Sequence, residues 1–133
     1  MIKVFTDGGS RGNPGKSACA FLIIDKEEII TFDALYTGIN TNNFAEYSGL
    51  LIASKYIKKN IEQSETIQIY MDSELVVNQI TGKFKINNVE LKKIKSQIDN
   101  NLIGHTYSIR HIERAKNSLA DRLVNIVLNT IEN

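Results

Sequence analysis

The first fifteen residues constrain this chain more than any other stretch. Ile2-Lys3-Val4-Phe5-Thr6-Asp7 alternates in the manner of a strand, so Ile2, Val4 and Thr6 share one face and Lys3, Phe5 and Asp7 the other. Gly8-Gly9-Ser10-Arg11-Gly12-Asn13-Pro14-Gly15 then supplies four glycines, a serine and an Asn-Pro step, which read as a turn. An acid therefore stands where an apolar strand gives way to a tight loop, with its backbone anchored and its carboxylate free to face a ligand. The competing reading is an Asp that only stabilises the turn through its own side chain.

The chain reads as a single domain over residues 1–133 with no linker or repeat. Ser17–Asp25 and Ile29–Tyr36 form β-rich runs around a Lys26-Glu27-Glu28 turn, giving an antiparallel meander with the first strand. Gly38–Asn43 reads as loop. Phe44–Asn60 carries apolar residues at helical spacing, with Leu50, Ala53 and Ile57 on one stripe. Thr66–Met71 is a short strand closed by Asp72, and a short helix with Leu75, Val76 and Ile80 comes next. Thr81-Gly82 breaks it, and Lys83–Asn88 is polar loop. Leu91, Ile94 and Ile98 mark another helix, His105–Ile112 a fifth strand, and Asn117–Ile131 a last helix. This order predicts an α/β domain with a five-stranded mixed sheet, its first three strands antiparallel, flanked by helices.

Hydrophobic content of 42% and charged content of 23% place the chain among globular proteins, and one cysteine excludes an internal disulfide framework. No secretory signal and no membrane-length apolar run is evident, so a soluble, reducing, cytoplasmic setting is expected. A net charge of +1 leaves any polyanion affinity to local patches.

Three further acids occupy places equivalent to that of Asp7. Glu46 heads the stripe of the long helix, Asp72 ends a strand expected to run parallel to the first, and Asp121 lies in the first turns of the last helix. In an open α/β sheet the carboxyl ends of adjacent parallel strands and the nearby helix starts bound one crevice, so all four can meet there. Each also has a local reading: capping boxes over Asn43–Glu46 and Ser118–Asp121, and an N-cap at Asp72. Two carboxylates about 4 Å apart repel by about 4 kcal/mol at an effective dielectric of roughly 20, so four require a countercharge. Hard divalent cations supply it, and without clustered Cys or His ligands magnesium or manganese fits better than zinc. Two such ions suit phosphoryl displacement. Sugar hydrolysis would need only a pair of acids.

TDGGSRGNPG around Asp7, NTNNFAEYSGLL around Glu46, YMDSELVVNQITG around Asp72 and NSLADRLVN around Asp121 resemble type 1 ribonuclease H, in the family's order and over nearly the whole chain. The resemblance implies an endonuclease that cleaves the RNA strand of an RNA–DNA hybrid and leaves 5′-phosphate and 3′-hydroxyl ends. It implies Asp7, Glu46, Asp72 and Asp121 as catalytic ligands of two Mg2+ ions, with Mn2+ the alternative. It also implies Gly12, Asn13, Asn42 and Asn43 at the minor groove and Thr41 on a DNA-strand phosphate. Only RNA offers the 2′-hydroxyl such amides can read.

The chain departs from the familiar family pattern in three places. Glu74 stands where Gln is common in the substrate contact after the third acid. The basic protrusion of some bacterial members is missing; Lys83, Lys85, Lys92, Lys93 and Lys95 are candidates to replace its grip, or a solvated face with no such task. The assisting histidine has only His111 as a counterpart, and that residue sits in a strand-like segment. The spacing of Arg114, Asn117 and Asp121 matches the shorter branch of the family, which favours Arg114 at the scissile phosphate; Asn117 then positions metal or water, or caps the helix. A monomer free of the membrane is expected. The rival readings are an inactive nucleic-acid-binding module of the same fold and a relative that also cuts double-stranded RNA or DNA.

Overall fold

Alternating burial along the first strand is where the fold begins: Ile2, Val4 and Thr6 are buried while Lys3 is exposed. The computed structural model describes residues 1–132. Its elements are β1 (Ile2–Gly12), β2 (Gly15–Asp25), β3 (Glu28–Asn40), α1 (Asn42–Asn60), β4 (Thr66–Met71), α2 (Glu74–Ile80), α3 (Val89–Asn101), β5 (Thr106–His111), a 3-10 turn (Arg114–Asn117) and α4 (Ser118–Glu132). The sheet order is β3-β2-β1-β4-β5. β1, β2 and β3 pair antiparallel, whereas β4 runs parallel to both β1 and β5. This is the expected five-stranded mixed sheet.

Two apolar layers cover its faces. The larger joins Val4, Ile23, Ile67 and Ile69 of the sheet to Tyr47, Leu50 and Ile57 of α1 and to Leu91, Ile94 and Ile98 of α3. The smaller consists of Ala18 and Ala20 against Val124 and Leu128 of α4. The helical stripes are thus buried as their spacing predicts.

The hairpin differs from the expected turn. β1 continues through the glycine segment to Gly12, which pairs with Gly15, so the loop shrinks to Asn13-Pro14. The glycines serve close packing instead. A Cβ on Gly8 would lie 2.1 Å from the Ala45 carbonyl carbon of α1, and one on Gly49 would lie 2.6 Å from the Asp7 carbonyl oxygen. Only bare backbone on both sides lets α1 cross β1 this closely. β3 also outruns its expected end at Tyr36. An irregularity in the β2 register opposite Thr37, beside Gly38 at φ +82°, lets pairing resume to Asn40.

Candidate active site

β1 is the strand on which the pairing sense changes, and the acids gather there. It bonds to β4 only as far as Phe5 opposite Tyr70, while its other edge stays with β2 to the hairpin tip. Asp7 and Asp72 each lie two residues past that last pair, at the mouth opened where the strands part. The close crossing of α1 sets Glu46 beside them. Each of Asp7, Glu46 and Asp72 offers a carboxylate oxygen within 4.8 Å of the other two. Asp121 stands outside that trio but lines the same cavity of about 470 Å3, together with Ser10, Arg11, Asn42, Ser73, Arg114 and Asn125.

The capping readings of Glu46 and Asp72 are not realised. Thr41 caps α1 by accepting from Phe44 N at 3.1 Å, two residues earlier than the expected start, so Glu46 lies in the second turn and is 7% exposed. Ser73, not Asp72, caps α2. Asp121 faces Arg114, whose Nη2 lies 3.6 Å from Oδ1. Asn117 is buried under the cluster and donates from Nδ2 both to the Thr6 carbonyl at 2.8 Å and to Asp72 Oδ2 at 3.0 Å. It thereby ties the middle of β1 to the acid that follows β4.

Burial and crowding raise the proton affinity of the trio. The Asp7 carboxyl is pushed from 3.8 to about 7, first by burial and then by the charge of Asp72, although a hydrogen bond with Glu46 opposes this. Glu46 is pushed well above its ordinary value by burial and by Asp7 and Asp72. Glu46 Oε2 is also a buried oxygen with no hydrogen-bond partner among the described residues. An all-oxygen donor set with one unsatisfied buried atom fits a hard divalent cation.

A group that binds its proton more tightly when folded stabilises the fold at low pH and loses that contribution as pH rises through its folded value. For Asp7 the window runs from about pH 4 to about pH 7, at about 1.4 kcal/mol per unit. Without divalent ions the chain is therefore expected to be less stable to urea at pH 8 than at pH 5, by about 3 kcal/mol from Asp7, the part of the window between pH 5 and about pH 7. Millimolar Mg2+ should reverse most of that loss at pH 8. Denaturation curves in chelator and in Mg2+ at both pH values check it.

The remaining predicted residues fall into groups. Asn42 Oδ1 accepts from Ser10 N at 2.8 Å, and Asn42 N donates to Asn13 Oδ1 at 3.0 Å, which ties the hairpin tip around Gly12 to α1. Asn13, Thr41 and Asn43 line a second groove of about 370 Å3 with Gln79, Asn87 and Asn88. Three expected contacts are not brought to the acidic cavity. His111 is exposed at the end of β5, in register with Met71, because its segment is strand rather than mobile loop. Glu74 is exposed in the first turn of α2, where a negative charge suits the helix start. Lys83 and Lys85 are exposed in the loop before α3, and Lys92 and Lys93 on α3 itself; Lys95 pairs with Asp99 at 2.6 Å one turn on.

Sequence reasoning missed Ser10, Arg11, Ser73 and Asn125 in the cavity, and Gln79, Asn87 and Asn88 in the groove. The polar Asn87-Asn88 pair just before α3 was the one legible signal. The others are ordinary surface residue types until the fold gathers them.

Fold and acid constellation define the class: an α/β domain of ribonuclease H architecture with a candidate divalent-metal centre. The RNase H family profile matches residues 1–128, and the chain belongs to that family. It is 33% identical over 129 residues to Ribonuclease HI of Halobacterium salinarum, an alignment covering 96% of this chain and 64% of that protein. It is equally identical to a bifunctional protein of Mycobacterium tuberculosis, covering 93% of this chain but 34% of the relative. The chain thus spans less than two thirds of the length of either. Among solved structures, LC11-RNase H1 in complex with an RNA/DNA hybrid is 31% identical, with a TM-score of 0.93 and the whole of both chains covered.

Proposed function

We propose that this chain is an endoribonuclease that hydrolyses the RNA strand of RNA–DNA hybrids with Mg2+, leaving 5′-phosphate and 3′-hydroxyl ends. The observation that carries this reading is the trio of carboxylates within 4.8 Å, one of them with a buried unpartnered oxygen, in a chain of the RNase H family. Asp7, Glu46, Asp72 and Asp121 would hold two ions, which when bound supply an activated water and charge compensation for the leaving 3′-oxygen.

The other residues position and read. Asn117 fixes Asp72 so that its second carboxylate oxygen stays available. Asn13 and Asn42 commit their amide oxygens inside the protein, so what each side chain still offers is N–H donors, matched to ribose hydroxyls in a wide minor groove. Thr41 serves twice: its oxygen caps α1 while its hydroxyl proton can go to a DNA-strand phosphate, at the helix end that favours anions. The exposed lysines before and along α3 would act as point charges on the backbone, which makes binding salt-sensitive.

Arg114, 81% exposed and facing Asp121, is the cation poised over the cavity. Arg114→Ala is expected to slow hybrid cleavage by roughly tenfold or more, and His111→Ala by much less. Single-turnover rates at saturating Mg2+ measure both; the opposite ranking contradicts the assignment. Specificity is tested by offering hybrid, double-stranded RNA and double-stranded DNA of one sequence. Cleavage confined to the RNA strand of the hybrid supports the proposal. Binding without cleavage would instead favour a nucleic-acid-binding module.

A further inference from the structure

Arg11 lines the acidic cavity, yet its guanidinium is taken up by the last helix. Nη1 donates to Glu132 Oε2 at 2.6 Å, and Nη2 donates to Asn129 Oδ1 at 2.7 Å and to Asn125 Oδ1 at 3.2 Å. Positions 125, 129 and 132 keep helical spacing and share one face of α4. Asn125 in turn donates from Nδ2 to the backbone carbonyl of Asp121, one turn earlier, at 3.0 Å. One side chain of the β1–β2 hairpin therefore grips the C-terminal half of α4 and stands one residue removed from the fourth acid.

The packing explains why a grip is needed. The buried layer under α4 sets two alanines of β2 against Val124 and Leu128, with Leu123 and Val127 half-buried beside it. Alanines offer little side-chain ridge to interlock, so this layer by itself constrains the helix's rotation about its own axis only weakly. Rotation matters at one position above all. Asp121 is the acid that comes from α4 and the one outside the close trio, so its distance from the others depends on how α4 is set. Energetics separates this role from a stabilising one, because an ion pair as exposed as Arg11–Glu132 contributes little to stability.

The geometry points to Arg11 as a positioning residue that clamps α4 to the hairpin and so aims Asp121 at the other three carboxylates. In its activity and metal-binding arms this rests on the proposed function; its exchange arm does not. The test compares the full chain with Arg11→Ala and Arg11→Lys. Arg11→Ala should melt within a few degrees of the parent but bind Mn2+, titrated calorimetrically, about 10–100-fold more weakly. Its cleavage rate should fall at limiting Mg2+ and recover as Mg2+ is raised, with KM for hybrid unchanged. Arg11→Lys, which can keep the Glu132 contact, should recover part of the affinity.

Parental Mn2+ affinity in Arg11→Ala overturns the clamp, and so does a raised KM with unchanged kcat, which would make Arg11 a substrate contact. If the parent chain neither binds Mn2+ nor cleaves hybrid, the proposed function falls and amide exchange decides the clamp. Faster exchange across residues 121–129 in Arg11→Ala, with β1 and β4 unchanged, supports it; unchanged exchange there overturns it.

Discussion

Asp7→Asn is expected to abolish hybrid cleavage while the chain stays folded and still binds hybrid. Loss of one carboxylate from an oxygen cage that supplies several kcal/mol of transition-state stabilisation corresponds to about three to four orders of magnitude in rate. The same substitution should make the metal-free chain more stable at pH 8. The amide is isosteric, carries no charge beside Asp72 and Glu46, and removes the group whose buried carboxyl is pushed to about 7. The expected combination is specific: an enzyme that is inactive, folded and, in chelator, harder to denature than its parent. Retained turnover would remove Asp7 from the mechanism. Lower stability in chelator at pH 8 would mean that the trio is not electrostatically strained.

Gly8→Ala should severely damage the fold. Its Cβ would lie 2.1 Å from the Ala45 carbonyl carbon, 2.2 Å from the Ala45 oxygen and 2.4 Å from Glu46 N. All three are backbone atoms of α1, so no side chain can turn aside; the helix must lift from the strand and carry Glu46 with it. A loss of about 4 kcal/mol or more is expected, the range reserved for changes with a specific steric cause. Gly9→Ala provides the control one residue on, where the nearest atom to the new Cβ is Val124 Cγ1 at 3.8 Å. It should change stability by less than about 1 kcal/mol. Urea denaturation of both variants measures the contrast, and equal stabilities would contradict the close crossing of α1 over β1.

That crossing also marks where the sequence was hardest to read. Helical stripes such as Leu91, Ile94 and Ile98 were legible because burial repeats at the helix period, and the parallel placement of β1 and β4 came from element order. The four acids could be foreseen together for the same reason, since element order set each near the point where β1 and β4 part or near the start of a helix beside it. The glycine segment was misread because glycine marks turns and close approaches alike, and alternation vanishes where side chains do. Gly8 and Gly49 serve a helix-to-strand contact between residues far apart in the chain, which no local pattern encodes. Arg11 was illegible for a related reason: its three acceptors lie more than a hundred residues away. The capping readings of Glu46 and Asp72 failed because Thr41 and Ser73 took the caps and freed the acids.

The central claim is that carboxylates drawn together by the fold form a divalent-metal centre that cuts RNA paired to DNA. Its most direct test is the cleavage of an RNA–DNA hybrid, labelled at the 5′ end of the RNA, by the purified chain in Mg2+ and in chelator. The account predicts shortened RNA ending in 3′-hydroxyl groups in Mg2+ and an intact strand in chelator, with the DNA uncut in both. Intact RNA in Mg2+, or cleavage that persists in chelator, would contradict it.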